Sequence, residues 1–179
     1  MTARIGTAFR PRGEGLVVLH RLDLDRTDTE TEERSRVVNT VALNAELGER
    51  SELSLTHAVK HVGLVAEGID ASVLSQFAGA ELRVDVTERV DLGFRATATY
   101  DHESDALAYA YGPSVGVSPA KGLWLGVGYN VAGYEEPGFE EAEHTQEGTY
   151  VQVRLRIDRD SVKGLLNHLA PKTRQEPGT

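Results

Sequence analysis

The stretch TYVQVRLRID, residues 149–158, has a side-chain period of two. Val151, Val153, Leu155 and Ile157 are aliphatic, and Tyr150, Gln152, Arg154, Arg156 and Asp158 between them are polar or charged. Successive side chains of an extended strand point to opposite faces, so such a run presents one oily face and one polar face. A helix, with a period of 3.6, would mix the two sets. What the pattern leaves open is where the oil lies: against a protein core, or against lipid.

The alternation recurs along the chain and predicts about nine strands. They fall near residues 3–10, 15–24, 36–47, 51–61, 76–86, 89–101, 106–117, 122–134 and 148–158. Several exceed the ~5–6 residues usual in globular sheets and approach the ~9–11 that cross a bilayer at a tilt. Between them, PRGEG (11–15), GERS (48–51), TER (87–89) and SPAKG (118–122) are short and made of turn residues. Alternating with these are DRTDTETEERS (25–35), the stretch around GLVAEGIDASV (63–73), DHESDA (101–106) and EEPGFEEAEHTQEG (135–148), mostly longer and acidic. Tight turns on one rim and long loops on the other are expected of an all-β, antiparallel up-and-down transmembrane barrel, with a periplasmic side and an external side. GERSELSLTHA, TERVDLGFRAT and PAKGLWLGVGY repeat a turn-then-strand unit, as hairpins do.

Sorting residues by parity sets Val90, Leu92, Phe94, Ala96, Ala98 and Tyr100 against Asp91, Gly93, Arg95, Thr97 and Thr99. Likewise Ala78, Ala80, Leu82, Val84 and Val86 oppose Phe77, Gly79, Glu81, Arg83 and Asp85, and Leu123, Leu125, Val127, Tyr129 and Val131 oppose Trp124, Gly126, Gly128, Asn130 and Ala132. A soluble barrel would line its interior with the aliphatic set, enclose a small apolar ligand there and leave Arg83, Arg95 and Arg154 in water. The membrane reading inverts this arrangement. It is favoured because Gly79, Gly93, Gly112, Gly116, Gly126 and Gly128 sit on the polar faces, where small residues make room for large polar side chains inside a curved wall. Tyr100, Tyr129 and Tyr134 also lie toward the long-loop ends, where an interfacial aromatic girdle belongs. The charges then assigned to the lumen are Arg21, Asp23, Glu52, Lys60, Glu81, Arg83, Asp85, Asp91, Arg95, Arg154 and Arg156. Their mixed signs on adjacent strands favour a polar plug over a conducting channel.

Residues 1–158 are thus expected to form one barrel segment. In residues 159–179, Val162, Leu165, Leu166 and Leu169 share a helical face, with Ser161 as cap and Pro171 as stop. This predicts a short amphipathic helix on the periplasmic rim, then a disordered tail. With nine strands the first and last run the same way, whereas bacterial single-chain barrels have even counts. At least one strand is therefore expected before residue 1, making the chain the carboxyl-terminal part of a longer protein.

Several function classes drop out. With 19 basic and 28 acidic residues, net charge -9, the chain lacks the cationic surface that nucleic acid requires. There is no cysteine, hence no disulfide framework or thiolate chemistry. No run of ~18 apolar residues marks a membrane-spanning helix, and the mean hydropathy of -0.33 is compatible with a barrel because only alternate residues meet lipid. His57 and His61 have a helical metal-ligand spacing but sit in a strand with no acidic third ligand in register. No nucleophile, base and orienter assemble, His102 and His144 read as solvated loop histidines, and no metal or cofactor is expected. The acidic loops, with Asp25, Asp28, Glu30, Glu32, Glu33, Glu135, Glu136, Glu140, Glu141 and Glu143, lack the spacing of a calcium loop. His20, Asn39 and His57 fall on the face assigned to lipid, where unpaired polar groups are costly, and mark a candidate protein contact.

From about residue 75 to 158 the chain resembles the closing barrel strands of large Gram-negative surface proteins that carry extracellular repeat domains. The resemblance lies in GAELRVDVTERVDLGFRATATY, YGPSVGVSPAKGLWLGVGYNVAGY and TYVQVRLRID, through Gly79, Glu81, Asp91, Gly93, Gly112, Pro113, Gly116, Pro119, Leu123, Trp124, Gly128, Tyr129, Asn130 and Arg154. It implies a non-enzymatic outer-membrane anchor in contact with lipopolysaccharide and with the insertion machinery. The chain departs from that pattern in its more acidic last loop and in the residues that follow Asp158.

Overall fold

The structure, a computed structural model, describes residues 1–11, 15–29, 31–66, 68–120, 123–135, 139 and 144–155. Nine strands follow in chain order: β1 (Thr2–Phe9), β2 (Leu16–Asp28), β3 (Glu32–Glu46), β4 (Ser51–Ala66), β5 (Ile69–Asp85), β6 (Val90–Asp101), β7 (Ala106–Ala120), β8 (Leu123–Asn130) and β9 (Gly148–Leu155). Each pairs antiparallel with the next, giving one nine-stranded up-and-down sheet. Among the described residues β1 and β9 are free edges, so the sheet is open. Residues 156–179, including Arg156 and the expected rim helix and tail, lie outside the described residues.

The sheet curls strongly. Strands four places apart in a flat sheet lie about 19 Å from each other, yet Arg154 of β9 reaches Glu81 of β5 at 3.4 Å. That contact requires their shared face to be concave. Residues following the parity of Glu81 therefore point inward: odd numbers on β2, β5 and β6, even numbers on β1, β3, β4, β7, β8 and β9.

Burial follows that parity. Thr40, Lys60, Ser75, Asp91, Thr97, Thr99, Ser114 and Asn130 are buried on the inner face, which also holds an apolar cluster of Val38, Ala58, Phe77 and Phe139. Phe77, between Ser75 and Glu81 on the inner face of β5, is only 1% exposed. The outer face is the reverse: Val37, Val41, Leu55, Leu82, Val84, Leu92, Phe94, Val115, Leu125, Val127, Val151 and Val153 are all exposed. The aliphatic rows do not meet in a dry centre, as a soluble barrel would require.

Inner-face glycines make room for rings. A Cβ on Gly126 would stand 2.2 Å from the Trp124 ring, and one on Gly128 2.2 Å from the ring of Tyr150.

The expected contrast between rims is largely absent. Residues 25–35 are mostly strand: β2 continues to Asp28 and β3 starts at Glu32, joined by a tight turn in which Thr29 Oγ1 accepts from Glu32 N at 3.1 Å. Residues 63–73 likewise belong to β4 and β5, with Gly68 at φ +85° in their turn. Charge made these segments read as loops. Their backbones nevertheless pair, and outward side chains there pair with each other, as Arg26 does with Glu33 at 2.6 Å. Only the β8–β9 connection is long, because β8 ends at Asn130 rather than near 134.

Replacing Phe77 by Ala should destabilise the fold by about 3–5 kcal/mol, as loss of a buried aromatic ring does. Leu92→Ala, on the outer face and 50% exposed, should change it by about 0.5 kcal/mol or less. Denaturant midpoints in detergent micelles measure both.

Candidate functional site: the polar inner face

A charged side chain turned inward from a sheet needs partners, because desolvation without them costs several kcal/mol. On β1 and β2, Arg21 Nε lies 2.8 Å from Asp23 Oδ2, and Arg4 donates to the same carboxylate. Across β4 and β5, Arg83 donates to Glu52 at 2.9 Å and lies 3.2 Å from Glu81. Glu81 also receives Arg154 from β9. Trp124 of β8 joins these charges: the guanidinium carbons of Arg154 and Arg83 lie 4.5 and 5.6 Å from the indole centroid. Its Nε1 donates to Asp91 Oδ2 at 2.6 Å. One chain of contacts thus runs Glu52–Arg83–Glu81–Arg154–Trp124–Asp91 over β4, β5, β6, β8 and β9.

A second group lies under the β8–β9 connection. Phe139 packs against Phe77 with centroids 5.7 Å apart, and Lys60 Nζ sits 4.6 Å from the Phe139 centroid. Asn130 Nδ2 donates to the carbonyls of His144 and Gln146, at 2.6 and 2.8 Å, tying the connection down.

Every described member of the sequence-derived charge set is on the inner face. Arg21 and Asp23 form one cluster, Glu52, Glu81, Arg83, Asp91 and Arg154 another, and Lys60 stands with Phe139. Arg95 is half-buried between them, and Asp85 is exposed near the turn after β5. Trp124 is on the polar face to which the sequence assigns it, but its contacts with Arg83, Arg154 and Asp91 were not anticipated, and neither were Arg4 and Phe139. Parity alone places Arg4 and Trp124 inward, but Phe139 sits in an acidic connection whose sequence carries no sign of burial.

Among the tyrosines, Tyr129 projects outward at 49% exposure, and Tyr100 is on the outer face with its hydroxyl donating to Asp105. Tyr134 is a correction: its hydroxyl bonds to inward-facing Thr99 at 2.8 Å, which the end of β8 at Asn130 allows. Tyr109 and Tyr111 occupy the outer face instead, 55% and 39% exposed. His20, Asn39 and His57 are outward as expected, and Asn39 Nδ2 lies 3.2 Å from His20 Nε2. Such a pair lowers the cost of placing both groups against an apolar phase.

These features define a class: an up-and-down antiparallel sheet with its polar face inside and its aliphatic face outside. No protein family matches the sequence, and no curated protein does. Among solved structures the chain is similar to one titled "NanC porin structure in rhombohedral crystal form", with a TM-score of 0.47 and 7% identity over 87% of this chain and 93% of that one. At that distance the likeness assigns nothing to this chain.

Glu81→Gln leaves Arg83 and Arg154 without the carboxylate they share. It should cost about 1–3 kcal/mol and shift Trp124 fluorescence as Arg154 moves from the indole. Chemical unfolding with emission spectra of the folded state measures both.

Proposed function

We propose that the chain is the membrane-embedded β-barrel part of an outer-membrane protein, anchoring a larger surface-exposed protein and holding a polar, charge-filled interior. The observation that carries this is the inversion of burial: aliphatic rows exposed on the convex face, charges paired on the concave one. In water that arrangement forfeits the hydrophobic contribution that stabilises soluble sheets. In a bilayer it is the expected one. The outward apolar row of β6, Val90 to Tyr100, spans about 33 Å along the strand, or about 25 Å along the membrane normal at a tilt of about 40°. That matches the apolar band of outer-membrane barrels.

Anchoring rather than conduction is supported by the inner face itself. Side chains from β5 and β9 touch across the concavity, and Phe139 lies over Lys60. The resemblance of residues 75–158 to barrel anchors points the same way. On this reading the outer face meets outer-membrane lipid and lipopolysaccharide after delivery by the insertion machinery, and no catalytic group is involved. No described helix is long and apolar enough to cross a membrane, which says nothing of crossing by strands.

The test is expression with an export signal, followed by fractionation. The account expects outer-membrane localisation, extraction only by detergent, and faster gel migration of unheated samples. Recovery as a monodisperse protein in detergent-free buffer contradicts it, and discrete conductance steps in planar bilayers would replace the anchor with a channel. Val127→Arg on the outer face should cost about 2–4 kcal/mol and impair insertion. Gln152→Arg on the inner face of neighbouring β9 should leave insertion unchanged.

A further inference from the structure

On the outer face, strands β3 to β7 form a hollow of about 870 Å³ whose lining is almost wholly apolar. Its floor is Ala78 and Ala80 of β5 beside Ala98 and Ala96 of β6. Leu55 and His57 of β4 stand along one side. Along the other, Tyr109 and Tyr111 of β7 form a ridge, their rings stacked with centroids 6.3 Å apart, and Phe94 lies 6.5 Å from Tyr111. Ridge and hollow are neighbours because methyl side chains and phenol rings alternate across adjacent strands, Ala98 opposite Tyr109 and Ala96 opposite Tyr111.

Lipid tails do not complete this region. Ala96 is near the middle of the outward row of β6, so the hollow lies inside the band that meets hydrocarbon. Yet the hydroxyls of Tyr109 and Tyr111 and the ring nitrogens of His57 have no hydrogen-bond partner among the described residues, and all three side chains are exposed. Acyl chains offer neither donor nor acceptor, and a polar group left unpaired among them is costly. His20 and Asn39 of the same face already bond to each other.

We infer that a second copy of this chain covers the hollow, seating its own Tyr109 and Tyr111 ridge on the alanine floor. A two-fold contact uses the same patch on both subunits, so the patch must be self-complementary. A knob beside a matching hole meets that condition. An axis along the membrane normal, passing between ridge and hollow, places each ridge in the other copy's hollow and keeps both copies in one orientation in the membrane. A phenol hydroxyl both donates and accepts, as does a neutral imidazole. The tyrosines of one copy and His57 of the other therefore satisfy groups that lipid leaves unpaired. A second copy supplies ridge and hollow together, and no other partner is needed to account for either. The inference rests on reading the aliphatic face as lipid-facing.

The sequence has no cysteine, so Glu103→Cys in the exposed turn between β6 and β7 gives a single labelling site. Donor-labelled and acceptor-labelled protein is mixed in detergent, reconstituted into liposomes and diluted with lipid. Energy transfer should persist on dilution and rise linearly with the acceptor fraction, as a dimer requires. Ala96→Phe, which fills the hollow, and Tyr111→Ala, which removes half of the ridge, should each weaken association at least tenfold. Tyr109→Phe combined with Tyr111→Phe keeps the rings and loses the hydroxyls, and should weaken it about threefold or more. Val127→Ala, on the outer face of β8 and away from the hollow, should associate as the parent does. The inference is overturned if the parent is monomeric on dilution, which leaves the hollow to lipid, if Ala96→Phe associates as the parent does, or if loss of both hydroxyls changes nothing. Heat-modifiable gel migration is read on every sample: a folded monomer removes only the contact, whereas protein that does not enter the bilayer removes the membrane reading.

Discussion

The structure depends on how its inward-facing charges are satisfied. Turning guanidinium and carboxylate groups into the concavity of a sheet is unfavourable unless each finds a partner, and here most partners come from strands far apart in the sequence. Glu81 receives Arg83 from its own strand and Arg154 from four strands away. Trp124 lies against both arginines and donates to Asp91. These contacts hold the sheet in its curl, and the curl decides which face is inside. With the polar residues drawn inward, the Val and Leu rows have only the exterior left.

The inner face is not uniformly polar. Val38, Ala58, Phe77 and Phe139 form a small dry cluster, with the ammonium of Lys60 against the Phe139 ring. The cation–π contact allows a charged group to border an apolar one at little desolvation cost. The glycines on this face serve the same packing, since the Trp124 and Tyr150 rings occupy the space where side chains of residues 126 and 128 would stand.

Much of this was legible in the sequence, because strand parity is a strict rule: once Arg154 and Glu81 are assigned to one face, every neighbour on those strands is assigned too. The inward placement of the charges from Arg21 to Arg154 that the sequence assigns to the interior follows from it. The rims were less legible. Charge density in residues 25–35 resembles a solvated loop, yet extended backbone with cross-strand pairs such as Arg26–Glu33 accommodates the same residues equally well, and local composition does not distinguish the two. Tyr134 and Phe139 depend on the path of the β8–β9 connection, which no period in the sequence encodes. Arg4 and Trp124 were readable by parity. Their roles were not, since those depend on curvature bringing distant strands into contact.

The central claim is that the aliphatic rows face acyl chains while the polar rows face a water-filled or side-chain-filled interior. Single spin labels at successive positions 91–99 of β6, in protein reconstituted into lipid bilayers, test it directly through collision with oxygen and with a water-soluble nickel complex. The account predicts a period of two, with positions 92, 94, 96 and 98 accessible to oxygen and shielded from nickel, and the odd positions showing less oxygen contact. The opposite phase, or nickel access at the even positions, would contradict it.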